Sequence, residues 1–139
     1  MSIEERIKQN DENSRRLYDE LGTEKDFVKK AIADFQNTAV GTMTELQEKQ
    51  KEVEQKAVQD YREAKRNIRE KIKKEEEDIK HQIYMESNCS EYPNGKKVFD
   101  ILWNKAWDDG HACGFREVYN AFYDLDDMVM DIARAMKVV

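Results

Sequence analysis

Residues 23 to about 87 contain no proline and a single glycine, Gly41, and this stretch limits what the chain can become. Apolar or small residues recur through it at helical spacing: Glu24, Val28, Ala31; Phe35, Ala39, Thr42; Leu46, Gln50, Val53; Ala57, Tyr61, Ala64; Ile68, Ile72, Glu75; Ile79, Ile83, Glu86. Each triplet begins eleven residues after the one before. Such a repeat winds about 3.67 residues per turn, close to a relaxed α-helix, and predicts straight or slightly right-handed packing. A seven-residue repeat would predict a left-handed coiled coil instead. The spacing therefore predicts one long helix over 23–87, diluted on its stripe by Gln50, Glu75 and Glu86. Gly41 is the one place where it can break, and Thr42 to Glu45 can cap a restart.

The flanking segments are organised around this helix. Ile3, Ile7, Leu17 and Leu21 predict a short helix over 3–21, weakened where Asn10 and Ser14 occupy the seam. Gly22 suits the left-handed residue that ends a helix, and Thr23 can cap the next one with Asp26 three residues on. Ser87 to Lys96 interrupts the pattern, with turn chemistry at Pro93-Asn94-Gly95. A last helix is predicted over 97–137. Its stripe is Phe99, Trp103, Ala106, Gly110, Gly114, Glu117, Ala121, Leu125, Met128, Ile132, Met136 and Val139, again with an eleven-residue period.

Matching periods across a short loop predict an all-α fold: an elongated antiparallel hairpin or coiled coil, with the first helix folded back on the central one. Taken as one domain over 1–139, the register would place Gly110 opposite Lys74, Gly114 opposite Glu70, and Glu117 opposite Asn67 between Arg66 and Arg69. The first helix would lie along 24–42 and the last would reach Leu46, so that residues 3 and 137 meet near Gly41.

Composition agrees with two-faced helices, since charged residues equal hydrophobic ones at 39% each. A core that thin favours self-association into a dimer or higher oligomer. The net charge of −6 argues against nucleic acid as a general partner. The basic run from Lys56 to Lys74 reads better as a solvated face, or as a complement to acidic residues of the last helix, than as a nucleic-acid groove. Only Tyr61 interleaves it as an aromatic. No apolar run is long enough to span a membrane, and the N-terminus lacks the order of a signal peptide. With two cysteines, Cys89 and Cys113, a reducing cytoplasm is the expected location.

The densest unusual chemistry lies at Trp103 to Val118. Two glycines inside a helix cost about 1 kcal/mol each relative to alanine, so Gly110 and Gly114 are expected to let helices approach closely. Trp107, His111 and Phe115 fall one turn apart. Glu117 on a packing stripe would need a partner such as Arg66 or Arg69. His81, Cys89, His111, Cys113 and Glu117 are metal-ligand types without metal-ligand spacing, and Cys113 beside His111 is not a catalytic dyad. No metal, cofactor or enzymatic activity is expected. Leu102, Val118, Phe122, Val129 and Ala133 form a second apolar face on the last helix, which calls for another copy or a target protein.

The segment Gly110-His111-Ala112-Cys113-Gly114-Phe115-Arg116-Glu117-Val118, preceded by tryptophan and acidic residues, resembles small tailed-bacteriophage proteins. Their closing helix reads W-x3-A-x2-D-G-H-x2-G-x2-E-V, matched here by Trp103, Ala106 or Trp107, Asp109, Gly110, His111, Gly114, Glu117 and Val118. The resemblance covers about thirty residues. It implies no established activity but does imply a phage origin and so the host cytoplasm; small phage proteins often bind and redirect a host protein, which makes an accessory or inhibitor of a host protein, for takeover or anti-defence, the expected role. The leading expectation is thus a non-enzymatic helical binding protein. One alternative is a small-ligand or nucleotide-sequestering pocket around Trp103, Trp107, His111 and Glu117, with Arg66 or Arg69 as its cation. Another is a nucleic-acid-binding coiled coil.

Overall fold

The computed structural model describes the backbone of residues 1–135 and the side chains of residues 1–125. The described residues form five α-helices: α1 (Ile3–Leu21), α2 (Glu24–Thr38), α3 (Met43–Glu86), α4 (Gly95–Gly110) and α5 (Phe115–Ala135). The fold is all-α, as the periodicity predicts. Where the sequence suggests one domain, contacts gather into two compact units: Met1–Asp11 with the residues from Lys74 onward, and Glu12–Lys73.

Helix boundaries follow local chemistry. The Ser2 hydroxyl accepts from the Glu5 amide while the Glu5 carboxylate accepts from the Ser2 amide. Thr42 and Glu45 repeat this reciprocal cap at the start of α3. Thr23 accepts from the Asp26 amide after Gly22, at φ 70°, has ended α1. The predicted long helix therefore does break beside Gly41, leaving α2 and α3.

In the unit of residues 12–73, α2 lies antiparallel to the first part of α3. Phe27 meets Tyr61 edge-on at 5.6 Å, and the Gln36 amide reaches the Gln50 side-chain oxygen at 3.0 Å. The Tyr61 hydroxyl donates to the Gly22 carbonyl. The eleven-residue stripe is the inward face. Every member from Leu46 to Ile83 is buried or half-buried, although Ala57 and Tyr61 are the only described residues of this unit that are fully buried.

The other unit has a denser core. Phe99, fully enclosed, stacks on Trp103 at 5.8 Å and meets Phe122 edge-on at 4.9 Å. Trp103 also lies 5.7 Å from Phe115. Tyr84 packs on Phe99, and the Lys80 ammonium sits over Trp103. The expected hairpin register would put Asp100 and Asn104 at those places, so it holds to within one residue. Ile7 is 2% exposed and packs in this cluster with Ile79 and Ile83. Arg6 ties the same turn to α3, donating to Glu75 at 2.8 Å and to Gln82 at 2.6 Å. The start of the first helix thus joins the end of α3 and does not lie along 24–42. Residues 2–4 share a cleft with Tyr119, Phe122 and Tyr123, so the N-terminus meets α5 and not the region of Gly41. Residue 137 lies outside the described residues.

The largest departure from expectation is the last helix, which is two helices. α4 ends at Gly110, residues His111–Cys113 make a short 3-10 turn, and α5 restarts at Phe115. Gly114 has φ 104° and ψ 176°, a conformation essentially reserved for glycine. Gly110 is buried, and a Cβ there would lie 2.8 Å from the Val118 nitrogen. The pairings of Gly110 with Lys74 and of Gly114 with Glu70 are therefore replaced by a turn that folds α5 onto α4. The restart also shifts the stripe by one residue. Phe115, Val118 and Phe122 are buried, while Gly114 and Glu117 are exposed. The expected stripe and second-face positions from Met128 onward, including Val129 and Ala133, lie outside the described side chains.

Two glycines give separable predictions. A Cβ on Gly95 would sit 1.4 Å from the Cys89 carbonyl oxygen, inside backbone that cannot yield. Gly95→Ala should cost about 3 kcal/mol or more, at the upper end for overpacking. Gly114→Ala meets nothing within 4 Å, so its cost, about 1–3 kcal/mol, should be backbone strain alone. Gly114→Asn should lose as much as Gly114→Ala, because asparagine's tolerance of positive φ is confined to the αL region and does not extend to ψ near 180°, whereas Gly95→Asn should be worse than Gly95→Ala; chemical denaturation measures both.

Half-buried Glu76 gives a pH prediction. Burial, then the Asp11 and Glu77 carboxylates, raises its carboxyl above the ordinary 4.5. The folded state holds that proton more tightly, so the stability it adds is complete below about pH 4.5 and is lost as pH rises through the raised value. Glu76→Gln should raise Tm at pH 7 and change it little at pH 4. An equal change at both would contradict the assignment.

Candidate functional site

The Trp103–Val118 segment builds the fold more than it offers a site. Trp103 and Phe115 are core residues at 4% and 6% exposure, and Ala106, Gly110 and Val118 are buried beside them. Trp103, Ala106, Gly110 and Val118 are among the positions carrying the resemblance noted above, and what they supply is the packing on either side of the α4–α5 turn. Trp107 is half-buried, with its ring centroid 5.2 Å from that of the exposed His111. Glu117 is exposed in the first turn of α5, so it needs no buried partner. Arg66 is exposed and lies 4.0 Å from Glu63 on its own helix, and Arg69 is also exposed. The expected pocket of Trp103, Trp107, His111, Phe115 and Glu117 is therefore dispersed between core and surface. Its aromatic floor is used up in packing.

Leu102, Val118 and Phe122 likewise belong to the core. The described part of the apolar face that called for a second copy is covered within the unit, because the turn at Gly114 brings α5 back over α4. Every lysine and arginine between residues 56 and 73 is exposed, in keeping with a solvated face. Among the described residues no three histidine, cysteine or acidic side chains group as metal ligands, and no helix is long and apolar enough to cross a membrane.

A different site appears where the start of α1, the end of α3 and the middle of α5 meet. A cleft of about 540 Å³ opens there. Ile3, Ile83 and Phe122 give it an apolar floor, and Glu4, Glu86, Tyr119 and Tyr123 give it acidic and phenolic walls. Ser2, Ser87 and Asn88 complete the lining. Each wall has a local cause. The Ser2–Glu5 cap fixes the first turn of α1, which carries Glu4. At the other edge α3 ends in carbonyls without helical partners. The Ser87 hydroxyl donates to the Tyr84 carbonyl at 2.7 Å, and the Ser90 hydroxyl donates to those of Met85 and Ser87. Tyr119 and Tyr123, one turn apart on α5, have ring centroids 6.0 Å from each other.

The electrostatics of the cleft are one-sided. Burial is the main cause that pushes the Tyr119 phenol up, followed by the negative charge of Glu4, then Tyr123 and Glu86. Tyr119 therefore stays a neutral hydroxyl throughout the physiological range. Glu86 accepts a hydrogen bond from the Gln82 amide at 3.3 Å, and Gln82 in turn accepts from Arg6. Such an arrangement can bind an apolar group with a polar or cationic end.

Tyr119 and Tyr123 carry no motif and lie beyond the segment Trp103 to Val118 that the sequence marks out as unusual. Their i, i+4 spacing was the legible signal. Nothing in the order of residues brings Glu4, Glu86 and Asn88 to them.

No curated protein and no solved structure is significantly similar to the chain. Residues 1–130 match a family of unknown function, DUF8546. With nearly its whole length matched, the chain belongs to that family.

Proposed function

We propose that this is a binding protein that works without turnover, and that the cleft walled by Tyr119 and Tyr123 is its recognition surface. The observation that carries this reading is the cleft itself. Separate chain segments converge to give it an apolar floor, two phenols and two carboxylates. Its volume falls within the roughly 300–1,000 Å³ typical of ligand sites. Tyr123 is 70% exposed, a large amphipathic ring left at the rim where a partner can cover it.

A pocket on Trp103 is disfavoured by the burial of that ring and of Phe115. Nor does the reading need a second copy of the chain, since Leu102, Val118 and Phe122 are covered already. The resemblance of the Trp103–Val118 segment to small phage proteins supports a host protein as the partner, met in the host cytoplasm and there assisted or inhibited.

Photo-cross-linking tests the surface. A benzophenone side chain at Tyr123 should give a discrete adduct in cells producing the chain, and the same group at exposed Gln47 should not. Equal adducts from both positions, or none from position 123, would reject the cleft as the contact surface.

A further inference from the structure

Resting on that reading, we propose that the cleft receives an arginine side chain of a partner polypeptide, held between the Glu4 and Glu86 carboxylates and against the Tyr119 and Tyr123 rings. Three features of the cleft point to this occupant. First, among the described residues its lining contains two carboxylates and no lysine, arginine or histidine. Among the described residues neither carboxylate takes part in an ion pair. The nearest cation in the hydrogen-bond chain, Arg6, is matched by Glu75 at 2.8 Å and reaches Glu86 only through the neutral Gln82 amide. The charge of Glu86 is thus oriented but not neutralised.

Second, the rings and floor match the rest of an arginine. A guanidinium is planar, pairs with carboxylates through parallel N–H bonds and stacks on aromatic faces. Its aliphatic stem suits the floor of Ile3, Ile83 and Phe122. An ammonium would satisfy one carboxylate as a point charge and gain less from the rings.

Third, the rim suits a polypeptide main chain. The Asn88 side-chain amide offers both donors and an acceptor beside the cleft. The net charge of the whole chain, −6, draws a basic segment toward it. An anionic ligand is opposed by the same two carboxylates.

The test uses the full chain and defined probes: capped hexa-arginine, capped hexaglutamate and spermidine. Calorimetry reads affinity, and amide chemical shifts read position. Hexa-arginine should bind and shift the amides of Ser87, Asn88 and Tyr119. The double variant Glu4→Gln/Glu86→Gln should weaken it by about tenfold or more, as expected when charged partners are removed. The control Glu48→Gln/Glu52→Gln alters two exposed residues of the other unit by the same net charge and should leave affinity within about twofold.

Equal losses in the two double variants would overturn the proposal in favour of diffuse charge attraction. So would binding of hexaglutamate. Spermidine binding as tightly as hexa-arginine, with the same sensitivity to Glu4 and Glu86, would replace the polypeptide with a small polyamine. Cross-linking from position 123 keeps the two readings apart. An adduct that persists in Glu4→Gln/Glu86→Gln rejects the arginine assignment and leaves the recognition surface standing. Loss of the adduct in that variant alone supports both.

Discussion

The approach of the Gly110 backbone to the amide of Val118 is the constraint on which the rest of the denser unit depends. The last residue of α4 lies against the first turn of α5, with no room for a Cβ between them. That contact reverses the chain and lays α5 over α4. The aromatic cluster then closes, because Phe115 and Phe122 come to Trp103 and Phe99. Edge-to-face and offset ring pairs contribute about 0.5–1.5 kcal/mol each beyond the area they bury. A helix continued straight through residue 114 would have left those rings on a solvated rod.

The same reversal makes the cleft. Once Phe122 is anchored in the core, Tyr119 and Tyr123 are carried to the place where the start of α1 meets the end of α3. Two further contacts hold that meeting point. Ile7 is enclosed with Ile79 and Ile83, and Arg6 reaches Glu75 and Gln82 on α3. Gln82 passes the connection on to Glu86 at the cleft wall. Core packing and the polar walls are therefore parts of one arrangement, and Ile83 and Phe122 belong to both the core and the floor of the site.

The two units differ in what holds them. In residues 12–73 the inward stripe is largely half-buried, and Tyr61 carries much of the specific contact through its ring and its hydroxyl. Its exposed faces are crowded with charge, which keeps such helices solvated while adding little stability per pair. The other unit holds nearly all the fully buried apolar residues described, among them Phe99, Phe122 and Val118. A recognition site needs fixed walls, and that is the unit that has them.

Much of the architecture was legible in the residues. The all-α class followed from helical spacing. The caps at Thr23 and Thr42, the stop at Gly22 and the inward stripe from Leu46 to Ile83 followed from local chemistry acting within a few residues. Even the contacts of Tyr84 with Phe99 and of Lys80 with Trp103 lie within one residue of the expected register. The turn at residues 110–114 was present as two glycines in five positions. That signal serves helix packing and helix breaking equally well. Periodicity alone favoured packing, because the same phase appeared to run through it.

What only the tertiary structure decided is the choice between those two meanings of glycine, and everything that follows from it. Gly110 packs and Gly114 turns, so α5 restarts one residue out of phase and buries Val118 in place of Glu117. The cleft is the clearest case. Glu4, Glu86 and Tyr119 are far apart in the chain, and their convergence depends on which way α5 returns. The sequence by itself determined where helices form, apart from the break at residues 110–114, since capping and periodic burial are local. It could not determine the site, since that depends on the free energy of closing one aromatic core.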